Sequence, residues 1–273
     1  MKTLYFDCQM GAAGDMLMAA LLELHPQPEA FLQKLNALGI PGVKVAAESA
    51  VKCGITGTHV AVTVGGVEEE SHDHDHGHGH SHDHGHSHGH SHSHGDGHLH
   101  IHDEEGGRGL HDIEHLIGHL DISDKVRADI LAVYGIIAAA ESHVHGVPVN
   151  QIHFHEVGNM DAVADITGVC LLMEELAPER VLASPIHVGS GQVLCQHGIL
   201  PVPAPATAHI LKGVPIYGGS VRGELCTPTG AAILKHFVSE FGDMPVMAVD
   251  SIGYGMGRKD FEAANCVRAN LGA

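Results

Sequence analysis

TLYFDCQMGAAGDMLMAALLEL (residues 3–24) is the stretch that decides the fold. Its first five residues predict a short buried strand, and its last eleven predict an apolar helix that follows directly. Gly11 and Gly14 permit a tight turn between the two, and the carboxylates of Asp7 and Asp15 flank it. Helix-start amides can face an anion, so the turn is a candidate phosphate or metal-bridged phosphate site. A plain strand–turn–helix corner explains the same residues equally well.

Strands and helices continue to alternate beyond this stretch. The patterns predict helices near 28–38, 110–119, 124–143 and 161–176, one ending at Lys212 and one starting at Thr227-Pro228. Strands are predicted at 43–49, 57–64, 181–188, 245–251 and 264–270. This interleaving predicts an α/β fold, with a mixed α+β arrangement as the variant. We expect one compact domain formed by residues 1–67 and 107–273 and interrupted by a disordered His-rich insertion at 68–106.

Composition narrows the function. The chain has 273 residues and a formal charge of −19, which argues against nucleic acid as a partner because phosphates require clustered Lys and Arg. No apolar run approaches the roughly 20 residues of a membrane span, and the first residues lack a secretory pattern. The six cysteines stand singly, at 8, 53, 170, 195, 226 and 266. Such spacing is typical of reduced thiols, so we expect a cytoplasmic protein with no membrane attachment.

The insertion consists almost entirely of His, Asp, Gly and Ser. It has too few apolar side chains to offset the entropy of ordering. Neutral imidazoles suit nickel, zinc and copper, so the segment predicts capture of a divalent metal. An expression tag and a solvated linker with incidental metal affinity are the alternatives. The predicted ligands are His72, His74, His76, His78, His80, His82, His84, His86, His88, His90, His92 and His94.

A second cluster of ionisable residues follows near the middle of the chain. His153 and His155 would point to the same side of an extended segment, and Glu156 comes directly after them. Asp161 and Asp165 share one face of the predicted helix. These groups together could bind a metal or act as a general base. Histidines that are merely buried and hydrogen-bonded are the simpler alternative.

A third segment, ELCTPTG (224–230), could hold a phosphate through the Thr227 and Thr229 hydroxyls and the amides near Gly230. A plain helix N-cap explains it as well. Two weaker groups are a loop cluster and a helix stripe. They comprise His187, Gly189, Gly191 and His197 in the loops, and His111, His115 and His119 on one helix face.

Six segments together resemble the nickel-insertion proteins (LarC family), which complete the nickel-pincer nucleotide cofactor of lactate racemase. In chain order these are DCQMGAAGDM (7–16), VHGVPVNQIHFHEVGNMDAVADITG (144–168), HGILPVPAPAT (197–207), LKGVP (211–215), ELCTPTGAAI (224–233) and IGYGMGRKD (252–260). The resemblance covers essentially the whole chain outside the His-rich insertion. It therefore outweighs any one of the motifs.

The resemblance implies a reaction that spacing alone does not reveal. Ni(II) is inserted into pyridinium-3,5-bisthiocarboxylic acid mononucleotide with two Ni–S bonds and one Ni–C bond, in a CTP-dependent process that uses Mg or Mn. The Ni–C bond requires loss of a ring proton, so His153, His155 and Glu156 become candidates for the base or for nickel delivery. The substrate phosphate would sit at the Gly11–Gly14 turn or at the start of the helix at Thr227. Lactate racemase apoprotein is the implied recipient, and we expect a homo-oligomer.

Two features depart from the family pattern. Members continue with a CTP-binding domain, whereas this sequence stops at Ala273, so that part is expected as a separate polypeptide, as a piece joined by a frameshift, or not at all. Cys226 stands where a hydroxyl residue is expected, and its thiol is either a soft nickel ligand or a tolerated replacement. A non-catalytic nickel chaperone or store, and a metal-dependent hydrolase, are the competing functions. The hydrolase has no nucleophile motif to support it.

Overall fold

The computed structural model describes residues 1–68, 108–152, 154, 157–195 and 198–273. Its helices are α1 (Gly14–Leu24), α2 (Pro28–Ala37), α3 (Leu110–Gly118), α4 (Asp124–His145), α5 (Met160–Leu176), α6 (Pro205–Ile210) and α7 (Pro228–Phe237), with a 3-10 turn at Val149–Gln151. Its strands are β1 (Thr3–Asp7), β2 (Val43–Lys52), β3 (Ile55–Val64), β4 (Val67–Glu68), β5 (Arg180–Ala183), β6 (Ile186–His187), β7 (Gly189–Ser190), β8 (Gln192–Cys195), β9 (Gly198–Pro201), β10 (Ile216–Tyr217), β11 (Gly223–Glu224), β12 (Glu240–Phe241), β13 (Val249–Met256) and β14 (Cys266–Gly272).

Eight of the strands form one mixed sheet in the order β12-β5-β1-β14-β13-β3-β2, with β4 paired to β3. Strands β12, β5 and β1 run parallel, while β14 is antiparallel to both β1 and β13. Three two-stranded ribbons, β10-β6, β11-β7 and β8-β9, complete the described strands. The mixture of parallel and antiparallel pairs with seven α-helices confirms the predicted α/β class and its mixed variant.

Helix α1 is the centre of the core because it lies between the sheet and α5. Nine of its eleven residues are buried. Two glycines of β13 allow the close approach: a methyl group on Gly255 would lie 1.8 Å from the Met16 carbonyl oxygen, and one on Gly253 would lie 2.1 Å from that of Ala20. The spacing of two residues places both glycines on the same face of the strand. The GYG of the IGYGMGRKD segment is therefore a packing surface for α1.

The predicted elements differ from the structure where chain direction changes quickly. The strand expected at 181–188 is divided into β5 and β6, since Pro185 has no amide to donate to a ladder. The strand expected at 245–251 begins later, at Val249, and runs on to Met256. The predicted insertion at 68–106 lies outside the described residues except for Glu68. No helix in the described ranges combines the length and apolar character needed to cross a membrane.

Candidate functional site

A cavity with a volume of about 620 Å³ opens between the starts of α1 and α7, the β8-β9 ribbon and the loop that follows β13. This volume lies within the range of about 300–1,000 Å³ that is usual for small-molecule sites. Apolar side chains such as Val60, Val157 and Leu200 form part of the wall, and polar groups interrupt it. The cavity could therefore enclose a molecule of mononucleotide size.

Three aspartates lie together in this cavity. Asp161 and Asp165 share one face of α5, as their spacing predicts, and α1 brings Asp15 to them. The carboxylate of Asp165 is so close to Gly14 that a methyl group there would lie 2.6 Å from its Oδ2 atom. Asp165 and Asp15 are enclosed by protein, and the surface they retain faces the cavity. Residues from two motifs far apart in the sequence thus form one acidic wall.

Burial determines the protonation of this wall. It raises the pKa of the Asp165 carboxyl well above its usual range, and the charges of Asp15 and Asp161 raise it further. Burial also raises the pKa of Asp15, although the Met16 amide donates to its carboxylate and opposes the rise. The Oδ1 atom of Asp165 is buried and has no hydrogen-bond partner among the described residues. The ionised form of a carboxyl group in this condition is stabilised when a cation approaches.

The two glycine-bearing turns, proposed as alternative phosphate sites, pack against each other. The Ala12 amide donates to the Leu225 carbonyl at 3.0 Å, and the Thr227 amide donates to the Ala12 carbonyl at 3.1 Å. Gly11 has φ +78, and a methyl group on it would lie 1.9 Å from the Leu225 carbonyl oxygen. A methyl group on Gly230 would lie 2.2 Å from the Ala12 carbonyl oxygen. Both glycines are therefore required for contact between the turns.

Most amides at these helix starts already have acceptors. The Asp15 amide donates to the Asp165 carboxylate, and the Met16 amide to that of Asp15. At α7, the Thr227 hydroxyl accepts from the Gly230 amide at 3.2 Å, so the predicted N-cap is present. Thr229 lines the cavity beside it.

Sequence patterns missed two further polar pairs in the cavity. Arg258 and Lys259 enter it from the loop after β13, and Glu141 and His145 enter it from the last turn of α4. His145 Nε2 lies 3.2 Å from the Glu141 carboxylate. Both pairs are in or beside segments quoted for the family resemblance, but neither has a spacing that indicates a ligand or base. Only the tertiary arrangement makes them candidates.

Asp7 lies outside this cavity. It lines a smaller one of about 430 Å³, and its carboxylate accepts from the Arg268 guanidinium. Cys226 is fully buried, and burial followed by the Glu224 charge raises the pKa of its thiol far above the usual range. In the loop cluster, His187 stacks on Tyr217 with ring centroids 4.6 Å apart. Both of its ring nitrogens lie within 3.0 Å of backbone carbonyl oxygens, so they are engaged within the fold.

The helix stripe of histidines forms only a local contact on the surface. His119 Nδ1 lies 2.7 Å from the His115 carbonyl oxygen, and the two rings are 4.4 Å apart. His111 is 3.8 Å from Glu114. No His, Cys, Asp or Glu side chains within the described ranges are grouped by threes so that they could hold a metal ion. A metal bound at the aspartates would therefore need further donors.

The remaining predicted residues lie outside the described ranges. These are His153, His155 and Glu156, His197, and the histidines from His72 to His94. Some residues before and after these positions are described. Glu68, before the insertion, lines the large cavity. Arg108, after the insertion, pairs with Phe154 in an isolated β-bridge and donates to the Gly158 carbonyl at 3.3 Å. Val157, in the same segment, also lines the cavity.

Comparison with known proteins agrees with the sequence resemblance. The Clostridium kluyveri pyridinium-3,5-bisthiocarboxylic acid mononucleotide nickel insertion protein is 41% identical over 280 aligned residues, which cover 100% of this chain and 62% of that protein. A putative nickel insertion protein of Maridesulfovibrio salexigens is 48% identical, with 99% of this chain and 63% of that protein covered. A putative nickel insertion protein of Dictyoglomus thermophilum is 36% identical, with 100% and 61% covered.

This chain thus spans about three fifths of the length of these relatives. No solved structure matches it. The family model described as nickel insertion protein matches residues 4–273, which include every described element from β1 to β14 apart from the first residue of β1. The chain belongs to the nickel insertion protein family.

Proposed function

We propose that this chain inserts Ni(II) into pyridinium-3,5-bisthiocarboxylic acid mononucleotide, which yields the nickel-pincer nucleotide used by lactate racemase. The observation that carries the proposal is the cavity with the Asp15, Asp161 and Asp165 wall. Its size suits a mononucleotide, and its acidic wall suits a cation. Relatives that cover the whole chain are named for this substrate.

The chemistry requires a base but no oxidant. The C–H bond at ring carbon 4, between the two thiocarboxylates, breaks heterolytically. Its proton goes to a base, and its electron pair forms the Ni–C bond. Each thiocarboxylate sulfur donates an electron pair to form one Ni–S bond, and the metal remains Ni(II). Sulfur is a favourable donor for this metal. We propose His153, His155 and Glu156 as base or nickel-delivery residues, with Asp161 and Asp165 holding the incoming ion.

Several partners belong to the same proposal. CTP with Mg or Mn would act through a C-terminal CTP-binding part, in keeping with relatives that are longer than this chain. Lactate racemase apoprotein would receive the product. We further propose that the chain is cytoplasmic, because its singly spaced cysteines suit a reducing compartment. We also propose that it forms a homo-oligomer.

The test is a reconstitution. The chain is incubated with Ni(II) and the mononucleotide, with and without CTP, Mg or Mn, and the C-terminal part of the Clostridium kluyveri relative. We expect a product whose mass has gained one nickel and lost the displaced protons. Substrate binding by the chain alone is measured in parallel by equilibrium dialysis. The proposal would be refuted if the chain bound no mononucleotide and formed no product under any of these conditions.

The second candidate function is nickel storage, which the twelve predicted histidine ligands from His72 to His94 favour. Deletion of residues 70–104 separates the two functions. An insertase should keep its activity when nickel is plentiful, whereas a store should lose most of its nickel capacity. Product formation by the deleted form at saturating nickel supports insertion. Absence of product from both forms, with loss of most of the nickel capacity in a deleted chain that remains folded, supports the alternative.

A further inference from the structure

The large cavity has an unequal distribution of charge. Its described lining carries six carboxylates, from Asp15, Glu68, Glu141, Asp161, Asp165 and Glu224. Against these stand two side chains with a permanent positive charge, Arg258 and Lys259. A phosphate group entering the cavity would be repelled by the ionised carboxylates among these. The positive charges of these two neighbouring residues would attract the phosphate and offset that repulsion.

The loop that carries the two cations is held from behind. Lys52 Nζ donates to the carbonyls of Arg258 and Lys259 at 3.1 and 3.3 Å and pairs with Asp260. Asn265 donates to the Lys259 carbonyl at 2.9 Å. The loop backbone is thus fixed by Lys52, which lies outside the cavity, and by Asn265, which lines the cavity together with Arg258 and Lys259. Such positioning lowers the ordering cost of binding an anion.

The start of the loop is fixed as well. The Gly257 amide donates to the Asn265 carbonyl at 2.8 Å, and a methyl group on Gly257 would lie 2.5 Å from the Asn265 amide nitrogen. Immediately before it, Gly253 and Gly255 seat β13 against α1. The same strand therefore positions Arg258 relative to the helix that carries Asp15.

The helix starts are weaker candidates for the phosphate. At α1 the first amides donate to the carboxylates of Asp15 and Asp165, so an anion there would have to displace a buried acceptor. At α7 the Thr227 hydroxyl already occupies the Gly230 amide. Arg258 is exposed, and its guanidinium lies 3.9 Å from the Glu68 carboxylate, which is long for a charge-assisted hydrogen bond.

We propose that Arg258 and Lys259 bind the phosphate of the mononucleotide substrate in this cavity. The inference rests on the proposed function, because it takes the substrate from there. It changes the expected place of the phosphate, from the helix starts at Gly14 and Thr227 to the loop after β13. The two residues are binding residues for the remote end of the substrate and take no part in proton removal.

The test compares two ligands on four proteins, without nickel. The ligands are the mononucleotide and its dephosphorylated nucleoside, and dissociation constants are measured by isothermal titration calorimetry. The proteins are wild type, Arg258→Gln, the double variant Arg258→Gln/Lys259→Gln, and the control Arg180→Gln. Arg180 is a partly exposed cation that pairs with Glu240 and lines neither cavity, so its removal matches the charge change. Circular dichroism melts verify that each variant is folded.

We expect wild type to bind the mononucleotide more tightly than the nucleoside. The double variant should lose about tenfold to a hundredfold in affinity for the mononucleotide, as expected for hydrogen bonds to a charged group, and nothing for the nucleoside. Arg258→Gln should fall between, and Arg180→Gln should match wild type. Inorganic phosphate should compete with the mononucleotide on wild type and lose this effect on the double variant.

Three results would overturn the inference, and they differ from one another. Unchanged mononucleotide affinity in the folded double variant shows that the phosphate binds elsewhere. Equal losses for both ligands show that the residues shape the cavity without contacting phosphate. If wild type binds neither ligand, the proposed function itself fails, and the phosphate site fails with it.

Discussion

Replacing Gly14 with alanine tests whether the acidic wall is packed as tightly as the structure indicates. The new methyl group would lie 2.6 Å from Oδ2, 2.7 Å from Cβ and 3.0 Å from Cγ of Asp165. Because Cβ cannot swing away as a side-chain tip can, the backbones of α1 and α5 must move apart. Overpacking of this kind costs about 1–3 kcal/mol. The Asp15 amide would also lose its acceptor.

Helix propensity works in the opposite direction. Alanine is favoured over glycine by about 0.5–1 kcal/mol inside a helix, and by less at its first residue, where Gly14 lies. We therefore expect Gly14→Ala to lower the free energy of unfolding by about 1–2 kcal/mol, after this gain is subtracted from the cost of overpacking. Urea unfolding followed by far-UV circular dichroism measures the change.

Gly135→Ala is the matched control. Gly135 is exposed in the middle of α4, and a methyl group there would meet nothing within 4 Å. It should gain the full propensity term of about 0.5–1 kcal/mol. If both variants are stabilised alike, the contact between Gly14 and Asp165 is wrong.

Three further changes test the core and the cavity. Burial raises the folded-state pKa of Asp165 above its unfolded value near 4, so wild-type stability falls as pH rises between the two values. In urea unfolding, the free energy of unfolding of Asp165→Asn should therefore rise relative to that of wild type as pH increases from acidic to neutral. A difference between the two proteins that does not change with pH would contradict this. Iodoacetamide should label exposed Cys53 in the folded chain and reach Cys226 only after unfolding, because burial keeps that thiol protonated; mass spectrometry of early labelling decides. Gly255→Ala should cost about 3 kcal/mol, because its methyl group meets the Met16 carbonyl, and an unchanged urea midpoint would exclude that contact.

Local patterns predict the local elements of this fold well. The strand Thr3–Asp7 and the helix Gly14–Leu24 occur with the bounds expected from sequence, because each is a continuous apolar run ended by a turn. The two-residue strands β7, β10 and β11 were not predictable, since two residues are too few to show a period of two. Their pairing depends on chain segments that meet only in the folded protein.

The candidate site shows the same division. The side-by-side placement of Asp161 and Asp165 followed from helical spacing, but the meeting of Asp165 with Asp15 did not, because 150 positions separate them in the chain. Sequence analysis gave the turns at Gly11 and Thr227 as alternative sites for the substrate phosphate, whereas in the structure the two turns are in contact. No binding role was predicted for Arg258 from the sequence, because two adjacent cationic residues in a loop, here Arg258 and Lys259, are usually exposed to solvent. Its placement depends on how β13 packs against α1.

The positions of Glu68 and Arg108 have a consequence for nickel supply. These residues flank the His-rich segment, and one lines the cavity while the other is anchored at the segment that leads to α5. An ion bound by the predicted histidine ligands between them would be held on the same chain that forms the cavity. Tethers of this kind give effective concentrations of the order of millimolar, far above those of free transition metal ions in a cell. Transfer of such an ion to the cavity would then be intramolecular and would not require diffusion from the surroundings.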